Sequence, residues 1–198
     1  MNFTLVVAAT EELGIGLRAN LPWRIPKDMA FFKEVTTRVP RAFNLPTGTS
    51  EPAQNAVIMG RITWESIPAK FRPLDKRTNI VISRNVEFDL QCKDQTVKLV
   101  PSIERAFDVI DRSRTPRVFV IGGAQIYREA IKHANCSRIL LTRIRSLVDC
   151  DTFFPEIDES LFRLASHNEL EEFVEAEVVD GILTHKNLDY QFTMYVKR

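Results

Sequence analysis

Apolar residues along this chain gather into short unbroken runs separated by amphipathic stretches, and they alternate with polar ones only toward the C-terminus. Residues 2–9 (NFTLVVAA) form the first run, and β-branched runs of this length are what a strand covered on both faces requires. Runs at 56–59, 78–82, 97–100, 117–121 and 138–144 predict five more strands. Between them, Pro26 suits the first turn of a helix that ends between Thr36 and Arg38. Further helices are predicted from Arg61, from Ser102, and over 124–132. In the second of these, Ile103, Ala106, Phe107 and Ile110 recur at helical spacing. Beyond Asp149, Phe173–Val174 and residues 191–196 alternate as hairpin strands do with one face wet. Strands alternating with helices, then a hairpin, predict an α/β fold: a single domain with a mostly parallel central sheet, an antiparallel C-terminal hairpin edge and flanking helices. Residues 39–55, broken by Pro40, Pro46, Gly48 and Pro52, read as a loop insertion within that one domain of residues 1–198.

Composition narrows the partners. In 198 residues, 44% are hydrophobic and 27% charged, as in an ordinary globular protein, and the net charge of +1 gives no electrostatic reason for nucleic acid or a membrane surface as partner. No apolar run approaches membrane-spanning length. The uncharged residues 1–9 lack the basic start of a signal peptide and are taken as a strand. Three cysteines without CxxC spacing point to a reducing, cytoplasmic setting, and no seam or apolar repeat argues against a monomer. His133, His167 and His185 share no ligand spacing, so no metal is expected; a GxSxG nucleophile motif is absent.

Candidate chemistry begins at Leu21-Pro22-Trp23, followed by Asp28 on the predicted helix. Asp28 and Phe32 share a face, flanked by Met29 and Phe31, so the carboxylate reads as one acid lining an apolar pocket. Taken alone, it reads more readily as an acid favoured by a helix dipole, and the rest of the chain reverses that. Gly14, Gly16, Gly60, Gly122 and Gly123 occupy the opening loop or strand ends. There, glycine lets backbone approach phosphate, and helix N–H groups bind anions. Two such strand ends suit a dinucleotide, although glycine as turn punctuation explains the same spacing. Arg61 and Arg84, the latter beside Ser83, add cations suited to the extra phosphate of NADP, or are a pair of solvated arginines.

In order and spacing, several motifs resemble the dihydrofolate reductase family, in its eukaryotic, fungal-like form. They are Gly14-Ile15-Gly16, Leu21-Pro22-Trp23, Asp28, the run 59–68 (MGRITWESIP), Arg72-Pro73-Leu74 with Arg77, Ser83-Arg84, 120–123 (VIGG) with Tyr127, 141–143 (LTR), and 151–155 (DTFFP). The resemblance implies NADPH-dependent reduction of 7,8-dihydrofolate to tetrahydrofolate for one-carbon metabolism, with antifolates as inhibitors. It implies a catalytic set of Asp28, Trp23, Leu21 and Thr142. Asp28 would take the pterin amino group and N3, and an ordered water placed by Trp23 and Leu21 would deliver a proton to N5. Substrate walls would be Val7, Ala8, Met29, Phe32, Ile67, Leu74, Ile121, Tyr127 and Thr142, with Arg77 on the tail carboxylate. The cofactor would lie on Ala8, Ile15, Gly16, Gly60, Arg61, Ile62, Thr63, Ser83, Arg84, Ile121, Gly122, Gly123, Ala124, Gln125, Ile126 and Tyr127. Two departures are visible: Asp28 where many eukaryotic relatives use Glu, and Ile62 where a second polar or basic residue is common. Cis peptides are implied at Arg72–Pro73 and Gly122–Gly123. Two other readings stand beside this one: a pyrimidine reductase of riboflavin synthesis, which shares the fold, and a non-catalytic pterin- or nucleotide-binding protein. Because the chain stops at Arg198, just after the hairpin, no fusion to thymidylate synthase is expected.

Overall fold

A computed structural model describes residues 1–198. In chain order the elements are β1 (Phe3–Thr10), β2 (Gly14–Gly16), α1 (Pro26–Thr37), β3 (Ala56–Gly60), α2 (Arg61–Ser66), a 3-10 turn (Ala69–Phe71), β4 (Thr78–Ile82), β5 (Lys98–Val100), α3 (Ile103–Asp108), β6 (Val118–Val120), α4 (Ala124–Ala130), β7 (Cys136–Ile144), β8 (Thr152–Phe153), β9 (Phe162–Leu164), α5 (His167–Val174), β10 (Leu183–His185) and β11 (Leu188–Lys197). The large sheet runs β10-β11-β7-β1-β6-β3-β4-β5, with β9 also on β11. From β7 to β5 every pairing is parallel; β11 is antiparallel to β7, β9 and β10.

The alternation of side chains along each strand builds two cores. Leu5, Val7 and Ala9 of β1 face α3 and α4, joined by Ile103, Ala106, Ile126 and Ala130. Val6 faces the other way, with Phe119, Leu140, Trp64, Val35 and Leu170, under α1, α2 and α5. Burial on both faces explains the unbroken apolar runs. Strand β11, at the antiparallel edge, alternates instead: Tyr190, Phe192 and Met194 are buried and their neighbours are not.

The pair Phe173–Val174, expected to be extended, instead closes α5. Ser166 accepts from the Glu169 N–H while the Glu169 carboxylate accepts from the Ser166 N–H, a capping box that satisfies helix-end donors. Once that helix starts, Leu170 and Val174 fall one turn apart on its buried side. The C-terminal hairpin is made by β10 and β11, joined at Lys186–Asn187, both with positive φ as a two-residue turn demands. The Gly14–Asn20 stretch is partly ordered as a strand: Gly14 and Gly16 pair with Phe153 and Thr152 of β8.

Residues 39–55 hold no helix or strand. Their two ends are joined directly. Asn55, fully buried, donates from Nδ2 to the carbonyls of Thr36 (3.0 Å) and Arg38 (2.8 Å), while its own carbonyl accepts from Thr78 N–H. Residues near the end of the loop are pinned as well, Gln54 N–H to the Arg114 carbonyl and Glu51 to the Arg114 guanidinium.

Candidate active site

The parallel strands β1, β3 and β6 end side by side, and their carboxyl ends open into one cleft of about 1630 Å³. Ligands of open α/β sheets bind at this edge. Its volume exceeds the ~300–1,000 Å³ of a single small-molecule pocket and suits two ligands lying end to end.

At one end stands Asp28. Helix α1 begins at Pro26 with buried Ile25 as its N-cap residue, so Asp28 lies in the first turn, where the dipole favours an acid. Below it, Thr142 on β7 sits beside Ala8 of β1 and Phe192 of β11, and its hydroxyl donates to Asp28 Oδ1 at 2.6 Å. Burial pushes the Asp28 carboxyl above the ordinary carboxylate range, and the Thr142 hydrogen bond draws it partly back. Behind this pair, Phe31 stacks on Phe192 (ring centroids 4.4 Å apart), which meets Tyr190 edge-on. The Tyr190 phenol is held toward its protonated form by burial and by the nearby Asp28 charge. Leu21 and Met29 are both about half exposed, at 54% and 52%, and close the mouth of this end.

Trp23 is the one expected site residue outside the cleft lining. It is buried at 5% exposure, and its Nε1 has no acceptor in the protein. A buried indole N–H that the protein leaves unpartnered is satisfied by water or ligand.

Toward the outer rim of the same end, Arg77 is buried, with three of its N–H groups engaged. Nη1 donates to Thr36 Oγ1 (3.0 Å), Nε to the Asp75 carbonyl (2.9 Å), and Nη2 to Asp75 Oδ1 (3.2 Å). A guanidinium has five donors, so each terminal nitrogen keeps one, the pair that both oxygens of a further carboxylate can take. Burial lowers the Arg77 pKa, and the Asp75 charge and hydrogen bond oppose that shift.

The other end is built on backbone. Gly60 N–H donates to the Gly122 carbonyl at 2.7 Å, bringing the ends of β3 and β6 together. Gly122 has φ +128°, and a Cβ there would meet Thr63 Oγ1 at 3.1 Å; one on Gly60 would meet Ile126 Cγ1 at 3.0 Å. A side chain at either position would crowd this cradle, so the backbone there stays open to close approach by an anionic group. Both Arg72–Pro73 and Gly122–Gly123 are cis. Ser83, Arg84, Arg61 and Thr63 line the far rim, and Ile15, Gly16, Ala124, Gln125 and Ile126 line the walls. Arg84 is exposed and has no ion pair. Arg61 lies over the Phe88 ring (5.8 Å to the centroid) with Glu65 at 3.7 Å. Ile62 is 60% exposed and carries no charge to that rim. Tyr127 lines the cleft through its ring, but its hydroxyl is spent on the Val6 carbonyl, and burial pushes its pKa up.

Val7, Phe32, Ile67, Leu74 and Ile121 complete the lining. Sequence reasoning did not place Val6, Asp75, Phe88, Pro101 or Ser102 in the cleft, nor Thr36 behind Arg77, and had Phe31 only as a neighbour of Asp28. Ser102 was legible only as the cap of α3, which its acceptance from Arg105 N–H makes it.

A family model described as dihydrofolate reductase matches residues 2–41 and 48–186. A dihydrofolate reductase of Heliothis virescens is 40% identical over 199 residues, covering 100% of this chain and 98% of that protein. One from Pneumocystis carinii is 38% identical, covering 99% and 97%. The solved Schistosoma mansoni dihydrofolate reductase superposes with TM-score 0.76 at 36% identity, covering 99% of this chain and 98% of that one. Relatives this varied do not single out a fungal type. Fold, cleft and full-length similarity agree: the chain belongs to the dihydrofolate reductase family of NADPH-dependent oxidoreductases.

Proposed function

We propose that this chain reduces 7,8-dihydrofolate to tetrahydrofolate with NADPH, binding the pterin on Asp28 and Thr142. The observation that carries the reading is the Thr142–Asp28 hydrogen bond at the closed end of a cleft whose open end is a glycine cradle. A carboxylate with one oxygen held by Thr142 presents its remaining lone pairs to two parallel N–H donors, the amino group and N3 of a pterin. Val7, Ala8, Met29, Phe32, Ile67 and Leu74 clamp the rings, and Arg77 takes the α-carboxylate of the tail. Gly60, Gly122, Gly123 and the start of α4 fit the pyrophosphate, while Arg61, Thr63, Ser83 and Arg84 fit the adenosine phosphates. NADPH, when bound there, supplies a hydride to C6 of the substrate.

The chain's own task is the proton that N5 must gain as the C6=N5 bond is reduced. Asp28 is the acid nearest the pterin, and burial, by disfavouring its ionised form, makes it a readier proton source than an exposed carboxylate. A carboxylate engaged at N3 and the amino group does not touch N5, so water carries the proton over. Trp23 Nε1, buried and without a protein acceptor, is the donor that orients such a water, and Leu21 shields it from solvent. The unpaired thiols of Cys92, Cys136 and Cys150 are in keeping with a reducing cytoplasm, and we take the active unit to be the monomer.

The test is the loss of reduced-nicotinamide absorbance with dihydrofolate present and then withheld. Consumption that requires dihydrofolate supports the reading. A folded protein that binds NADPH but turns over only a pyrimidine substrate, or nothing, overturns it.

A further inference from the structure

Arg77 does not wait bare for a substrate carboxylate. Two residues before it, Asp75 folds back so that its carbonyl takes the Nε hydrogen and its carboxylate takes Nη2 at 3.2 Å. The Arg77 side chain is 3% exposed and the Asp75 side chain 63%, so the cation is sequestered while its partner stands at the cleft rim. Both residues line the cleft, together with Leu74 and Lys33. A buried arginine without a counter-charge is costly, and in the free protein Asp75 provides that charge.

We propose that Asp75 is a specificity-determining residue: its carboxylate shares Arg77 with the tail carboxylate of the bound ligand and so weakens selection for anionic tails. This rests on the reading that Arg77 meets the tail. When the tail arrives, two carboxylates address one guanidinium, Asp75 along its Nε–Nη2 side and the ligand at the donors left on Nη1 and Nη2. Arg77 can satisfy both geometrically, but the second anion gains less than it would from an unpaired cation, and the two anions repel. The protein therefore gives up part of the tail's binding energy in exchange for a compensated arginine in the empty cleft. Ligands that carry only the ring system never reach Arg77 and are not affected. The consequence is a cleft that discriminates tailed from tail-less ligands less sharply than its buried arginine alone would allow.

Asp75→Asn tests the charge without removing the group, because the amide oxygen still accepts from Nη2. Dissociation constants would be measured by quenching of tryptophan fluorescence. The ligands are a diaminopteridine bearing the glutamate tail and a tail-less 2,4-diaminopyrimidine, and dihydrofolate KM and kcat accompany them. For an exposed charge of this kind the expected gain in tailed-ligand affinity is about two- to five-fold, seen in KM rather than kcat, and shrinking with added salt. The tail-less ligand should bind both proteins equally. Equal affinity of the tailed ligand for both proteins, or an equal gain for the tail-less one, overturns the proposal. Arg77→Gln separates the two levels. If it weakens the tailed ligand while Asp75→Asn changes nothing, the inference about Asp75 fails alone. If neither variant alters the tailed ligand, the tail reading of Arg77 fails, and this inference with it.

Discussion

The two ends of the cleft hold charge in opposite ways. At the closed end one carboxylate, Asp28, is half-buried beside Thr142 and fixed by a single short hydrogen bond. At the open end two arginines, Arg61 and Arg84, stand on the rim, one loosely paired with Glu65 and the other unpaired. Buried charge interacts strongly with few partners, whereas rim charge is screened and adds up in small increments. A ring system that must be oriented to within an ångström needs the first arrangement; a phosphate that needs only to be attracted and held is served by the second.

The sharpest way to break this contrast is at its strongest point. Asp28→Asn should lower kcat/KM by about 10²–10⁴-fold at neutral pH, the range for losing a positioned acid. The loss should narrow in acid, where solvent protonates the substrate directly; an unchanged rate at neutral pH would remove Asp28 from the reaction. Thr142→Val should cost less, roughly 10–100-fold in pterin affinity, because it deletes one hydrogen bond to a charged group. It should also raise the pKa read from the pH profile of kcat/KM, since the hydroxyl normally lowers it. Arg61→Gln combined with Arg84→Gln should reduce the NADPH-over-NADH affinity ratio by only about ten-fold, with the wild-type ratio falling as salt rises. A salt-independent preference that survives both changes would mean the rim is not where the phosphate is read.

The smallest effect is on stability and runs against function. Burial raises the Asp28 pKa in the folded chain above its ordinary 3.8, so the native state binds a proton more readily than the unfolded chain. Stability contributed by this group therefore falls as pH rises through the shifted value, and at neutral pH the ionised carboxylate is a net cost. Asp28→Asn should accordingly melt at a higher temperature than wild type at pH 7, and the advantage should vanish below pH ~3.8, where both side chains are neutral. Parallel melting curves across that range would show that the site carries no such cost.

What could be read from the sequence follows the same division between local and distant causes. Strand β4 has the bounds its apolar run predicts, Thr78–Ile82, because burial on both faces leaves an unbroken signal. Helix α5 was hidden because Phe173 and Val174 were read as a pair, without the Ser166–Glu169 cap that starts the turn seven residues earlier. That cap is a written signal, S-x-x-E, and was available. The short β2–β8 sheet was not, since Gly14–Gly16 gains strand geometry only from a partner more than a hundred residues away. In the cleft, Asp28 stood out as a lone acid in apolar company. Asp75 and Phe88 did not, because they sit in polar stretches whose meaning depends on how the chain folds back onto Arg77 and Arg61.

Asn55 has a consequence for how this chain can be cut and rejoined. By tying its side chain to the carbonyls of Thr36 and Arg38, it closes the arc from 39 to 54 at the base, so the arc's length is decoupled from the placement of α1 and β3. The family model passes over residues 42–47, within the free part of that arc. Because closing a longer loop costs only ~0.6 kcal/mol per doubling, lengthening here is thermodynamically cheap. New chain termini, or an inserted reporter domain, placed between Phe43 and Thr49 would leave the clamp intact. The arc is thus the natural port for a circular permutant or a split reporter, with Asp28 undisturbed on the helix that leads into it.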